Sequence, residues 1–220
     1  MSKRFSSLKK TLSSNGLEIV GAFRPNIDTQ ELEEVETMLM IGPKEPIFWE
    51  IFKKSKEYID GKSNPLDRWS KRILKAIAKK QKSKAYFPFD KDKNWPFYSW
   101  ALECEEINSS PVKLLVHNEK GLFISFRGAL GLSYKIDSAT NAKSVCMDCS
   151  RPCEKSCPVD ALNSEGYDVK RCIDYISTSS GKDCLSGCLV RRSCPYGSSL
   201  QPPDQSAFHM NSFLKTDLMA

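Results

Sequence analysis

The residues of this 220-residue chain most able to do chemistry are eight cysteines that lie within the 49 positions from 146 to 194. A ninth, Cys104, stands apart, and the first 103 residues contain none. Such a density of thiols is typical of a scaffold for inorganic cofactors or of a disulfide-knit domain. The N-terminal sequence lacks the apolar core of a secretory signal. We therefore expect a cytoplasmic protein, where reduced thiols favour metal ligation over disulfides.

The first block of cysteines, CMDCSRPCEKSCP at 146–158, has the spacing C-x2-C-x3-C-x3-C-P. The bacterial ferredoxin run is one residue shorter in its middle interval, and there three cysteines bind one [4Fe–4S] cluster while the fourth binds the other. A loop this short can curl around a cluster and direct successive thiolates at different irons. Proline after the fourth cysteine fixes φ and suits the first turn of a following helix. The spacing therefore predicts iron–sulfur ligands.

The second block is more widely spaced and also ends in a Cys-Pro step; it comprises Cys172, Cys184, Cys188 and Cys194. If it mirrors the first block, each Cys-Pro cysteine crosses to the other cluster, as in two-cluster ferredoxins. We then predict two [4Fe–4S] clusters, one bound by Cys146, Cys149, Cys153 and Cys194, and the other by Cys157, Cys172, Cys184 and Cys188. Cys104 is left over and is expected to be a buried apolar side chain.

Other chemistries for the same cysteines remain open. Two four-thiolate zinc sites also need eight cysteines, although zinc knuckles usually come as C-x2-C pairs separated by longer loops. Disulfides are a further alternative. The only histidines, His117 and His209, have no neighbouring Cys or His in sequence, so we expect both to be structural or exposed. Dinucleotide, nucleotide-triphosphate, hydrolase and metalloprotease motifs do not occur in the chain.

The sequence around the second block is similar to a known family. YDVKRCIDYIST (167–178), preceded by CPVDAL (157–162) and followed by Gly187-Cys188 and Cys194-Pro195, resembles the ferredoxin part of epoxyqueuosine reductases. In that family a lone cysteine inside an RCxxY stretch binds the second cluster, which implies the same role for Cys172. The pattern LLVHNEKGLFISFRGALGL (114–132) is similar to the strand pair that precedes the clusters in the family.

The resemblance covers about residues 110–197 and does not extend to the family's catalytic motifs. Family members carry a catalytic aspartate in a VDTGP-like stretch and a glycine-rich AGLGWxGKN-like loop. Residues 85–113 contain neither motif, and Asp90 and Asp92 are the aspartates near the catalytic position. The resemblance therefore implies a short, ferredoxin-like relative that keeps the cluster scaffold, without implying corrinoid binding or epoxide reduction.

The elements that position the cysteines are predicted from hydrophobic periodicity and from breaks at Gly and Pro. We expect an α+β chain with an α/β domain over 1–140, a ferredoxin-like module over 141–200 and a tail over 201–220. The patterns predict helices over 2–14, 29–36, 47–59, 65–82 and 97–107, strands over 17–23, 37–42 and 85–89, and a hairpin that turns at Gly121.

Charge and hydropathy limit the partners. The longest charge-free stretch, 193–203, has 11 residues and three prolines, whereas a spanning helix needs about 20 apolar residues. The first 82 residues carry 17 Lys and Arg against 11 Asp and Glu, mainly because of the basic segment 71–84. That segment suits either RNA binding or the solvated face of an amphipathic helix, with Ile73, Leu74 and Ile77 turned inward.

Two functions fit these features. In the first, the clusters pass single electrons between a donor and an acceptor, so that the chain acts as a ferredoxin-like electron-transfer protein with a redox partner protein. In the second, the chain is a reductase whose N-terminal domain binds a corrinoid, a flavin or a substrate and receives electrons from the clusters.

Overall fold

A computed structural model describes residues 3–26, 32–136, 143–197 and 201–214 of the chain. The chain divides into two compact units. Unit 1 comprises residues 1–107 and 125–142, and unit 2 comprises residues 108–124 and 143–220. The boundary expected near residue 140 differs from this division, because 108–124 packs with the cysteine-rich segment.

The helices and strands of unit 1 follow one another mostly as the periodicity predicts. In chain order they are α1 (Lys3–Ser14), β1 (Leu17–Phe23), β2 (Thr37–Pro43), α2 (Ile47–Lys53), α3 (Lys56–Ile59), α4 (Pro65–Gln81), β3 (Lys84–Tyr86) and α5 (Phe97–Leu102). The chain then forms β4 (Ile107–Ser109) and β5 (Leu115–His117) before it returns to unit 1 as β6 (Gly128–Leu132).

Four strands of unit 1 form one sheet in the order β1-β2-β6-β3. The recorded pairings are antiparallel: Leu39 of β2 faces Ala22 of β1 and Leu130 of β6, and Ala85 of β3 faces Leu130 from the other side. Every residue of β2 and β6 is buried, which places these two strands at the centre of the core. Mixed helix and antiparallel sheet make the chain α+β. The α/β domain expected over 1–140 is therefore α+β in its described part, because the recorded strand pairings are antiparallel.

The basic segment is the exposed face of α4. Leu74 and Ile77 are buried, as predicted, whereas Ile73 is half-buried. Three of the segment's cations are paired within the unit. Lys71 Nζ lies 2.8 Å from Asp90, and Lys84 Nζ lies 3.3 Å from Glu34. Arg72 donates two hydrogen bonds, of 2.5 and 2.8 Å, to the buried carboxylate of Glu57. Most of the segment thus forms one face of an amphipathic helix. RNA binding by this segment stays a prediction.

Three predicted elements are shorter in the structure than in the sequence pattern. The helix expected over 47–59 breaks into α2 and α3, because the Ser55 hydroxyl accepts from the Tyr58 N–H and starts a new helix. The helix expected over 97–107 ends at Leu102. The strand expected over 85–89 ends at Tyr86. Of the helix expected over 29–36, residues 29–31 lie outside the described part of the chain, and residues 32–36 form turns and no α-helix.

The predicted hairpin forms only at its turn. His117 and Gly121 exchange two backbone hydrogen bonds, of 3.0 and 2.8 Å. The chain then coils, because the Phe123 N–H bonds back to Lys120 O, so the 122–126 run does not continue the ladder. Strand β5 pairs instead with β4 on its other side.

Unit 2 is built from short elements that interrupt the cysteine-rich loops. They are β7 (Leu162–Asn163), β8 (Gly166–Tyr167), α6 (Val169–Ile176), α7 (Lys182–Leu185), α8 (Leu189–Ser193) and α9 (Pro203–Ser212), with 3-10 turns at Pro152–Lys155 and Ser179–Gly181. The expected tail contains α9, whose Met210 is buried against Ile176 and Cys184. Residues 215–220 lie outside the description. Among the described helices, none has the length and apolar character required to cross a bilayer.

Candidate metal centre

The first group of cysteines comes together where α8 packs against the 3-10 turn at Pro152–Lys155. That turn carries Cys153, and Cys194 directly follows α8. Both side chains are buried in one apolar core with Val116, Leu122 and Val190, and Cys146 packs against the same core. A cysteine from the second block thereby lies beside three cysteines of the first.

A cavity marks this position. It is partly open to solvent, and its lining includes Cys146, Cys149, Cys153 and Cys194. The lining also contains Ser110, Arg151 and the prolines Pro111, Pro152 and Pro195. These four thiols of both blocks therefore share one enclosed space.

The thiols of the first group lie close enough to raise one another's pKa values. Burial raises the pKa of Cys146, and the charge of Cys149, and more weakly of Cys194, raises it further. Burial also raises the pKa of Cys153, with added contributions from Cys146, Cys194 and Cys149. Four thiolates crowded in this way repel one another, so a positively charged group among them would be needed to hold all four deprotonated.

The second group forms where α6, α7 and the start of α8 meet. Asp168 caps α6 by accepting from the Arg171 N–H at 2.9 Å, which fixes the helix that carries Cys172. Helix α7 packs against α6 and contributes Cys184, and Cys188 is the residue that begins α8. Cys172, Cys184 and Cys188 contact a second core with Ile176 and Met210.

Cys157 packs against the first core, and its charge acts on the thiols of the second group. Burial raises the pKa of Cys172, and the charges of Cys188 and Cys157 raise it further. The same pattern holds for Cys184, where burial again raises the pKa and the charges of Cys188, Cys172 and Cys157 add to it. These electrostatic neighbours favour two interleaved sets of four, and the ligand sets themselves stay a prediction.

Donors from the chain already point at four of the thiols. The Arg151 N–H donates to Cys149 Sγ at 3.3 Å, and the Ala161 N–H donates to Cys157 Sγ at 3.1 Å. Hydrogen bonding to the Leu189 N–H lowers the pKa of Cys184, and hydrogen bonding to the Tyr167 hydroxyl lowers that of Cys172, against the larger effect of burial. Such bonds favour the thiolate form and orient it, which is what a metal ligand requires.

The turn at residues 117–121 packs against Cys194 of the first group. Gly121 has φ +55°, and a Cβ built there would stand 2.8 Å from Cys194 Sγ and overlap the carbonyl of Tyr196. A Cβ on Gly197 would in turn overlap the Lys120 carbonyl. Only glycine permits this approach of turn and loop, so the 117–121 turn helps to determine where Cys194 lies.

Other candidate ligands are engaged elsewhere. His117 Nδ1 accepts from the backbone N–H groups of Glu119 and Lys120, at 3.0 and 3.2 Å, and the His209 ring lies edge-on to Phe213. Among the residues with described positions, no three Cys, His, Asp or Glu side chains converge on a point that could hold a single metal ion. A cluster makes a different demand from a single ion, because each thiolate binds a separate iron.

Comparison with known proteins identifies no relative: no protein-family model, curated protein or solved structure matches this chain.

Three residues of the site were not predicted from the sequence, namely Ser110, Gly121 as a packing residue, and Tyr167 as a donor. The role of Tyr167 could have been predicted, because it lies five residues before Cys172 and directly before the residue that caps α6. The contacts of Ser110 and Gly121 depend on residues far away in sequence, at 146–153 and 194–196.

Cys104 lies in unit 1, apart from both groups. It is 1% exposed, its thiol lies 3.6 Å from Trp100 O, and it packs closely against Gly21. Burial, together with the charges of Glu106 and Glu103, raises the pKa of Cys104 to about 12. The thiol is therefore protonated at neutral pH, as expected of a packing residue.

Replacing Cys104 with alanine is expected to leave metal content unchanged and to cost on the order of 1 kcal/mol of stability from lost apolar contact. Because the folded-state pKa exceeds the ordinary value of 9.0, Cys104 makes the native protein lose stability as pH rises from about 9 to about 12. Denaturation of the parent and the alanine variant across that range measures the difference. A variant that loses iron, or that keeps the parent's full alkaline loss, contradicts this account.

Proposed function

We propose that this chain is an iron–sulfur protein that holds two [4Fe–4S] clusters in a ferredoxin-like module and acts in electron transfer. The observation that carries the proposal is the division of eight cysteines into two groups, each of which takes members from both sequence blocks. Interleaving of this kind is the ligation pattern of two-cluster ferredoxins.

The donor set fits the group. Thiolates are the ligands that iron–sulfur clusters use, and the first four line one pocket. One cluster would be held by Cys146, Cys149, Cys153 and Cys194, and the other by Cys157, Cys172, Cys184 and Cys188. Bound clusters would supply reversible one-electron chemistry at these positions.

The protein's own part is to set how readily an electron is accepted. Backbone N–H groups next to Cys149, Cys157 and Cys184 would offset the negative charge of a reduced cluster, and so favour reduction. The apolar cores around Val190 and Met210 oppose reduction, because they limit solvation of the added charge. Arg191 adds a cation beside Cys188, where burial lowers the pKa of its guanidinium and the Cys188 charge raises it.

A reductive titration of the anaerobic full-length protein tests this function. We expect about two electrons per chain, one for each cluster, and reoxidation by an added one-electron acceptor. Addition of a flavin or a corrinoid should leave the absorption spectrum unchanged. A stoichiometric spectral change with either cofactor would contradict a simple carrier and favour the reductase alternative, in which unit 1 binds the cofactor. Failure to take up any electrons would reject both.

A further inference from the structure

The hydroxyl of Ser110 is an unsatisfied polar group in the wall of the first cysteine cavity. Ser110 is 4% exposed, and it lines the cavity together with the four thiols of the first group. Among the described atoms, its Oγ has no hydrogen-bond partner, and the four sulfur atoms are included in that statement. A buried hydroxyl without a partner costs about 1–3 kcal/mol, so such a group calls for an explanation.

The backbone of Ser110 explains why the hydroxyl is held there. Its N–H donates to Leu114 O at 2.8 Å, and its carbonyl accepts from the Lys113 N–H at 2.9 Å across a tight turn. Pro111 occupies the second position of that turn, where its fixed φ is favourable, and Lys113 has φ +60°. Both backbone groups are thus satisfied by the turn, and only the side chain has an open bond.

Several other residues of the cavity wall offer no free backbone donor. Pro111, Pro152 and Pro195 have no N–H to offer, and the Arg151 N–H is already directed at Cys149 Sγ. A cluster in this cavity would bring inorganic sulfides, which accept hydrogen bonds, into a space where the thiols themselves leave Ser110 unpartnered.

We propose that the Ser110 hydroxyl donates a hydrogen bond to a sulfide of the cluster held by Cys146, Cys149, Cys153 and Cys194, and thereby raises the reduction potential of that cluster alone. This inference rests on the proposed function. The bond strengthens as the cluster gains an electron, so it stabilises the reduced state more than the oxidised state. Ser110 would make the two otherwise similar clusters unequal and so order the passage of electrons.

The test compares Ser110→Ala with Ser110→Thr and with Ser70→Ala in a redox titration of the anaerobic holoprotein. Ser70 is a matched control, because it is also buried but its hydroxyl already donates to Leu66 O at 2.7 Å and it does not line the cavity. Ser110→Ala should shift one of the two reduction steps to lower potential by roughly tenfold in the equilibrium constant, which is about 59 mV for one electron. The other step should not move.

Ser110→Thr keeps the hydroxyl and should restore the parent potential, and Ser70→Ala should change neither step. All three variants should retain the parent iron content, which separates this inference from the proposed function. If iron and sulfide are present and both steps are unchanged in Ser110→Ala, the hydroxyl bonds to water or to nothing and the inference is overturned. If the parent protein holds no iron and sulfide, the proposed function itself fails.

Discussion

Replacing Cys157 with alanine is expected to destroy the cluster bound by the second group, whereas replacing Cys153, only four residues earlier, destroys the other one. The reason is that the charge of Cys157 raises the pKa values of Cys172 and Cys184, whereas those of Cys146 and Cys194 act on Cys153. Each single variant should retain about four of about eight irons. Iron analysis of anaerobically purified protein measures this result, with Cys104→Ala as the control that keeps all of them.

Double variants reveal the partition itself. Cys153→Ala combined with Cys194→Ala removes two ligands from one cluster, so about four irons should remain. Cys153→Ala combined with Cys157→Ala damages both clusters and should leave almost none. The reverse outcome, in which the 153/157 pair keeps about four irons and the 153/194 pair keeps none, would mean that each sequence block binds its own cluster. Interleaving would then be wrong.

Replacing Gly121 with alanine is expected to displace Cys194 and to release the first cluster. The new Cβ would stand 2.8 Å from Cys194 Sγ, where something must move, and the residue would also be held at φ +55°. The positive φ costs about 1–2 kcal/mol and forced packing about 1–3 kcal/mol more. We expect the variant to retain about four irons, and a thermal ramp followed by the cluster absorbance should show earlier loss than in the parent.

Gly61→Ala is the matched control for this prediction. Gly61 has φ +67°, but a Cβ there meets no atom within 4 Å, so only the backbone cost of about 1–2 kcal/mol applies. Iron content should therefore match the parent. Equal iron content and equal thermal loss in the two alanine variants would show that the turn at residues 117–121 does not position Cys194.

The helical and central-strand patterns of unit 1 could be predicted because they depend on local periodicity. Phe5, Leu8 and Leu12 lie on the buried face of α1, as their spacing indicates. Strand β6 could not be predicted in this way, because its sequence GALGL lacks the β-branched and aromatic residues typical of strands. It is a strand because β2 and β3 both pair with it, which is a tertiary condition.

The site shows the same difference between local and distant information. The interleaved grouping of cysteines is predicted from the two Cys-Pro steps and the two-cluster ferredoxin pattern, in which each of these cysteines crosses to the other cluster. The position of the 108–124 segment could not be predicted from the sequence. The strand pattern at 122–126 competes there with a turn, and that turn depends on Gly121 and its close approach to Tyr196. Ser110 was missed for a related reason: a lone serine before a proline has no distinctive pattern, and its role depends on which wall it faces.

Quantification of iron, acid-labile sulfide and zinc in the full-length chain, purified without air, tests the central claim most directly. Two intact clusters predict about eight irons and about eight sulfides per chain, with no stoichiometric zinc. Zinc at about two per chain without sulfide would contradict the claim and assign the same eight cysteines to two tetrahedral zinc sites.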